Sequence, residues 1–198
     1  MILSSGVCCF AIKPNTDEVY ILLGQERGRW SDFAGRPNNK NEKDTHVAAR
    51  EFYEESMGCV RINDNASTIF NFQRSLLNDE FVARIRIPVR FRDRQADVRG
   101  DIICYFINVP WQPFIPIHFM LTQMFLHQLR SPYHPAMSGQ MQRRVRPAFL
   151  EKDRLQWFSL EYLSNHMIQK KNTMVLRPSF MQVLSIILKD VFDITGRH

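Results

Sequence analysis

Residues 48–58 read AAREFYEESMG, placing three carboxylates, Glu51, Glu54 and Glu55, beside two alanines and a phenylalanine. No Pro or Gly interrupts Val47–Ser56, so a helix is expected there. Asp44 or Thr45 can cap its start, because a short oxygen-bearing side chain bonds the free amides of a first turn. Gly58 can end it in the left-handed conformation. On such a helix the three glutamates share about a third of the circumference, at ~100° per residue. Ala49 and Phe52 fall on an adjoining face suited to burial against a sheet. Like charges this close repel, so the row costs stability unless a cation neutralises it. Hard divalent cations such as Mg²⁺ favour carboxylate oxygens. A solvated acidic face is the competing reading, since surface helices often carry scattered glutamates.

Upstream, Gly6–Ile12 (GVCCFAI) and Val19–Leu23 (VYILL) are apolar and β-prone, with a turn signal, KPNTDE, between them. Residues 24–44 are polar and rich in Gly and Asn, which predicts a long loop. Downstream, Thr68–Leu76 and Phe81–Phe91 are expected as strands. The second alternates apolar residues with Arg84, Arg86 and Arg90, and Pro88 suggests an edge or a bulge. Ile102–Val109 is expected as a buried strand, Phe114–Leu129 as a helix, residues 131–147 as a loop, Leu155–Ser159 as a strand and Leu160–His166 as a short helix. Pro178–Phe192 is expected as a C-terminal amphipathic helix. Met120, Met124 and Phe125 stand at helical spacing, a pattern read as core.

The chain has 198 residues, suited to one domain spanning 1–198. Its hydrophobic content of 44% is that of a globular protein, which excludes a disordered chain. The formal charge of +6 favours polyanionic partners without naming one. None of the four cysteines, Cys8, Cys9, Cys59 and Cys104, has zinc-site spacing. They read as reduced thiols of a cytoplasmic-type protein. The N-terminus lacks the basic start of a signal peptide, and no apolar run is long enough to span a bilayer, so no membrane partner is expected.

The segment Arg36–Met57, RPNNKNEKDTHVAAREFYEESM, resembles the Nudix box. That pattern runs Gly, five residues, Glu, seven residues, Arg-Glu, an apolar residue, any residue, Glu-Glu, any residue, Gly. Glu42, Arg50, Glu51, Phe52, Glu54 and Glu55 stand in register, and WSDFAGR resembles the family's lead-in. Both glycines are displaced by one place. Arg36 stands at the first, with Gly35 just before it, and Met57 stands at the last, with Gly58 just after it. PAFLEKDRLQWFSLEYL at 147–163 also resembles the family's later segment, in which a Glu precedes a strand ending in Trp and a short helix. In style the motifs resemble Nudix proteins of large DNA viruses.

The resemblance implies an α/β (α+β) fold: an α/β/α sandwich with a mixed central sheet, a catalytic loop-helix-loop over about 33–58 and a C-terminal helix over about 178–193. It implies Mg²⁺ or Mn²⁺ on Glu51, Glu54 and Glu55, and cleavage of a phosphoanhydride in a nucleoside diphosphate linked to another moiety. Arg50 would orient a box carboxylate. Glu42 would secure the loop, and Gly35 and Arg36 would meet substrate. The general base is Glu54 or Glu151. A surface glutamate paired with Lys152 is the plainer reading of Glu151. Replacing Glu54 or Glu55 by Gln is expected to stop hydrolysis and leave the fold intact.

Three substrate classes stay open: capped or 5′-phosphorylated RNA, free nucleoside triphosphates, and nucleotide sugars or dinucleoside polyphosphates. RNA finds some support in two arginine groups, Arg84 to Arg99 and Arg143, Arg144 and Arg146. A non-catalytic module binding nucleotide or protein is the rival class. The oligomeric state is open, with a homodimer among the options.

Overall fold

A computed structural model describes residues 1–62, 68–93, 96–130, 147–169 and 174–191. Among these, seven strands form one mixed sheet: β1 (Ile2–Ile12), β2 (Val19–Glu26), β3 (Arg29–Ser31), β4 (Phe33–Gly35), β5 (Ala83–Asp93), β6 (Ala96–Asn108) and β7 (Arg154–Ser159). The path is β3-β2-β1-β6-β5, with β4 also paired to β1 and β7 to β2. β1 and β6 run parallel, and every other pairing is antiparallel. Among the described residues five α-helices flank the sheet: α1 (Asp44–Ser56), α2 (Ile69–Leu77), α3 (Ile115–Arg130), α4 (Leu160–Gln169) and α5 (Pro178–Ile186).

Successive side chains of a strand point to opposite faces, and β1 therefore feeds two cores. Val7 and Cys9 join one with Ala48, Phe52, Phe72 and Phe119 from α1, α2 and α3. Cys8 and Phe10 join the other with Leu163, Phe180 and Leu184 from α4 and α5. Helices thus cover both faces, giving the expected α/β/α layering. Phe52 pins α1 to the first core. It is fully buried, and its ring meets Phe33 and Phe72 edge-on at 5.2 and 4.7 Å. Truncation of such a residue to Ala typically costs about 3–5 kcal/mol.

Three expectations change. Thr68–Leu76 is not a strand. Thr68 keeps an extended backbone, and its hydroxyl accepts the Asn71 N–H, so it caps helix α2. Phe72, Ser75 and Leu76 then reach the core at helical spacing while Phe70 faces solvent. Residues 24–44 are not one loop. β2 continues to Glu26, and the short strands β3 and β4 follow before the chain reaches α1. The cap of α1 is Lys43, with no side-chain bond. Asp44 already lies in the helix, and its carboxylate accepts from the Arg84 guanidinium (2.7 Å) and the Tyr105 hydroxyl (2.8 Å).

The remaining elements fall close to their expected places. β5 is the end strand of the sheet, where Pro88 leaves no neighbour lacking a partner N–H. β6 begins six residues earlier than the expected Ile102. Helix α5 passes into one π-helical turn over Ile187–Val191. Arg94, Arg143, Arg144 and Arg146, and residues 131–146 of the expected loop, lie outside the described residues.

Candidate active site

Helix α1 carries its three glutamates inward, all of them largely buried. Charged residues are seldom buried without partners, and each glutamate here has one. Arg50 is the hub of the outer pair. Its guanidinium donates to Glu51 (2.6 Å), to Glu54 (3.4 Å), to Glu42 (3.1 Å) and to the Arg36 carbonyl (3.0 Å). One cation therefore ties the helix to the loop before it. Glu42 also accepts the Asn38 N–H and so closes that loop. Burial pushes the Glu42 carboxyl up, but the Arg50 and Asn38 bonds outweigh it and hold Glu42 below the usual carboxylate range.

Glu51 lies against Gly35. A Cβ added at Gly35 would collide with the Glu51 carboxyl group, so the glycine at this position makes room for the carboxylate. Burial raises the Glu51 pKa. Arg50 opposes the rise, and the negative charges of Glu54 and Glu151 add to it. Glu151 itself is exposed, just beyond a 3₁₀ turn at Pro147–Leu150 that packs on α1 through Phe149 and Tyr53.

Glu55 is held differently. One oxygen accepts the Ala34 N–H (2.9 Å), and the other meets the Lys152 ammonium at 3.1 Å. Lys152 is 1% exposed and also donates to the Ser31 hydroxyl (3.1 Å) and the Asp32 carbonyl (3.2 Å). Three acceptors match the three protons of an ammonium. The lysine stem runs over Gly24, where a Cβ would come within 2.8 Å of Lys152 Cδ. Burial raises the Glu55 pKa to about 8 despite Lys152. Asp32, buried behind the same loop, accepts from the Cys104 thiol at 3.5 Å, and burial raises its pKa too.

Lys152 therefore pairs with Glu55, and not with Glu151 as the plainer reading had it. Neither Lys152 nor Asp32 was singled out from sequence. Lys152 sits in an ordinary polar run, and only the return of β7 alongside β2 brings it under α1.

Both displaced glycines now have a physical account. Met57, at the position of the box's last glycine, adopts the left-handed conformation itself (φ 53°), and Gly58 follows in it (φ 64°). Their N–H groups cap the Glu54 and Tyr53 carbonyls. Arg36, at the position of the first glycine, is exposed and contributes its carbonyl to Arg50.

Two hollows adjoin Arg36. One of about 830 Å³ is bordered by Arg36, Asn38, Lys40 and Glu42 together with the start of β1. A smaller one of about 270 Å³ is bordered by Asp32, Gly35, Arg36 and Arg177. Two members of the arginine row on β5 are engaged elsewhere, Arg84 with Asp44 and Arg86 with Asp101. Trp111 packs between Tyr20 and Trp157, at 4.9 and 5.2 Å.

The donor chemistry suits a hard divalent ion. No group of three or more His, Cys, Asp or Glu among the described residues is placed to hold one by itself. Glu51 and Glu54 leave two carboxylates side by side, however, and Mg²⁺ is commonly held by one or two carboxylates, water and substrate phosphates.

No protein-family model and no curated protein matches the chain. Several solved structures resemble it. An Ap4A hydrolase of C. elegans in a binary complex aligns over the whole of both chains, at 11% identity and a TM-score of 0.44. A Nudix hydrolase structure from Listeria monocytogenes aligns over 96% of this chain and 94% of its own, at 13% identity and 0.47. A bifunctional NMN adenylyltransferase/ADP-ribose pyrophosphatase from Francisella tularensis, complexed with AMP and a Mn ion, aligns over 94% of this chain and 42% of its own, at 16% and 0.44. All three likenesses are distant, and the functional reading rests on the residues of the site.

Proposed function

We propose that the chain is a divalent-metal-dependent pyrophosphohydrolase of Nudix type, acting as one domain on a nucleoside diphosphate linked to a further group. The observation that carries this is the buried carboxylate row of α1, in register with Arg50 and seated on Gly35. Glu51 and Glu54 hold Mg²⁺ or Mn²⁺. Glu55, its oxygens already committed to Ala34 and Lys152, fixes the loop beneath them. When bound, the ion supplies polarisation of phosphate oxygens and a more acidic water.

The protein's own groups do the rest. Arg50 holds Glu51 and Glu54 in their rotamers, a charge-assisted arrangement that limits their freedom. Arg36 and Lys40 present positive charge to phosphates in the larger hollow. Glu151 is exposed beside Glu51 and takes the proton of the attacking water, with Glu54 as the second candidate for that task. The pairing of Arg84 and Arg86 with aspartates removes part of the basic row that favoured RNA. A 5′ cap therefore stands as one member of the substrate class rather than its leading member.

The test is a magnesium- and manganese-dependent phosphate-release panel. It spans free nucleoside triphosphates, dinucleoside polyphosphates, nucleotide sugars and capped RNA. Turnover that vanishes with chelator supports the proposal. Tight nucleotide binding without turnover of any of them contradicts it and favours the binding module.

A further inference from the structure

Helix α3 packs one side on the sheet through Ile115 and Phe119, which are buried in the first core. Its other side breaks the expectation drawn from sequence. Phe114, just before the helix, and Ile117, Met120, Leu121, Met124 and Phe125 are each at least 50% exposed. At ~100° per residue these six fall within an arc of about 140° on the side away from the core. No Asp, Glu, Lys or Arg occurs from Ile115 to Leu129.

We infer that this face is a homodimer interface, with α3 of a second copy as its occupant. The area fits. Side chains of this size carry roughly 150–250 Å², so half-exposed they offer on the order of 600 Å² per copy. Two copies bury on the order of 1,200 Å², which is enough for a specific interface. The largest apolar patch of a typical monomer is about 300–600 Å² and is often functional, and this face stands at the upper end of that range. The charge pattern selects the occupant. A two-fold axis brings a surface against itself, and an uncharged helix face meets its own copy with no ion stranded between them. A membrane-surface helix would instead carry Lys and Arg along its polar side, and α3 has none before its last residue. Met120 and Met124 add flexible side chains that adapt to the opposing ridge. Helix α3 also reaches the site, because Gln123, off this face and toward the core side, donates to the Lys152 carbonyl at 2.7 Å.

Analytical ultracentrifugation of the full chain tests this. The wild type is expected at twice the 23.4 kDa of one chain. Leu121→Glu with Phe125→Glu should sediment as one chain, with unchanged circular dichroism. Phe125→Gln, neutral and at an exposed position, should weaken the dimer at least tenfold if the charged pair disturbs the fold. A wild type that stays monomeric at every concentration tested overturns the inference. So does a dimer that none of these substitutions weakens, or a monomer that co-sediments with phosphatidylcholine vesicles. None of these readouts depends on turnover, so they stand apart from the proposed activity.

Discussion

Helices α1 and α3 pack into the same core, yet each reverses the usual partition of side chains. α1 turns Glu51, Glu54 and Glu55 inward, and α3 turns Phe125, Leu121 and Met124 outward. Buried charge is tolerated when it is paired. Each glutamate of α1 meets a cation, Arg50 or Lys152. Exposed hydrocarbon is tolerated when something covers it, and α3 awaits a partner. Departures from the local rules collect where a chain serves function rather than folding alone. Here one helix departs in its chemistry and the other in its surface.

The largest effect of a substitution is expected at α1. Glu54→Gln should lower turnover about a hundredfold to a thousandfold while the melting temperature holds, read in the phosphate-release assay. Unchanged turnover would put Glu54 outside the chemistry. Next comes the other cation. Above about pH 8, where Glu55 is ionised, Lys152→Met leaves it buried without its partner, and breaking such a pair typically costs about 3–5 kcal/mol. Urea denaturation should show the loss, and Lys152→Met combined with Glu55→Leu should recover most of it. A harmless single substitution would mean that Lys152 does not neutralise Glu55.

A pH series sharpens the same point. The Glu55 pKa is raised in the fold to about 8 from 4.5. The folded state therefore holds a proton that the unfolded chain releases. Its contribution is complete below about pH 4.5 and is lost as pH rises through about 8. Denaturation midpoints should fall over that window, and Glu55→Gln should flatten the slope. The smallest effect is expected at the helix end. Gly58→Ala places a side chain in left-handed backbone, with its Cβ 2.8 Å from the Tyr53 ring. A loss of about 1–2 kcal/mol in urea should follow.

Much of α1 was legible in the sequence because its signal is local. Carboxylates at offsets of three and four, an uninterrupted run and a glycine stop all act within a few turns. The apolar strands β1, β2 and β6 and the alternating strand β5 were legible for the same reason. What escaped was non-local. Lys152 reads as a surface residue until β7 pairs with β2. Met120, Met124 and Phe125 read as core because periodicity reports that a face is apolar and not which face meets the sheet. Thr68–Leu76 escaped for a nearer reason, since β-prone residues hid a capping threonine and a four-residue spacing between Phe72 and Leu76.

Whether the α1 carboxylates serve a divalent ion is decided by a Mn²⁺ binding isotherm. Titrations followed by electron paramagnetic resonance should show the wild type binding Mn²⁺ at least tenfold more tightly than Glu51→Gln or Glu54→Gln, with all three proteins folded. A wild type that binds no Mn²⁺, or one whose affinity neither substitution changes, would contradict the account.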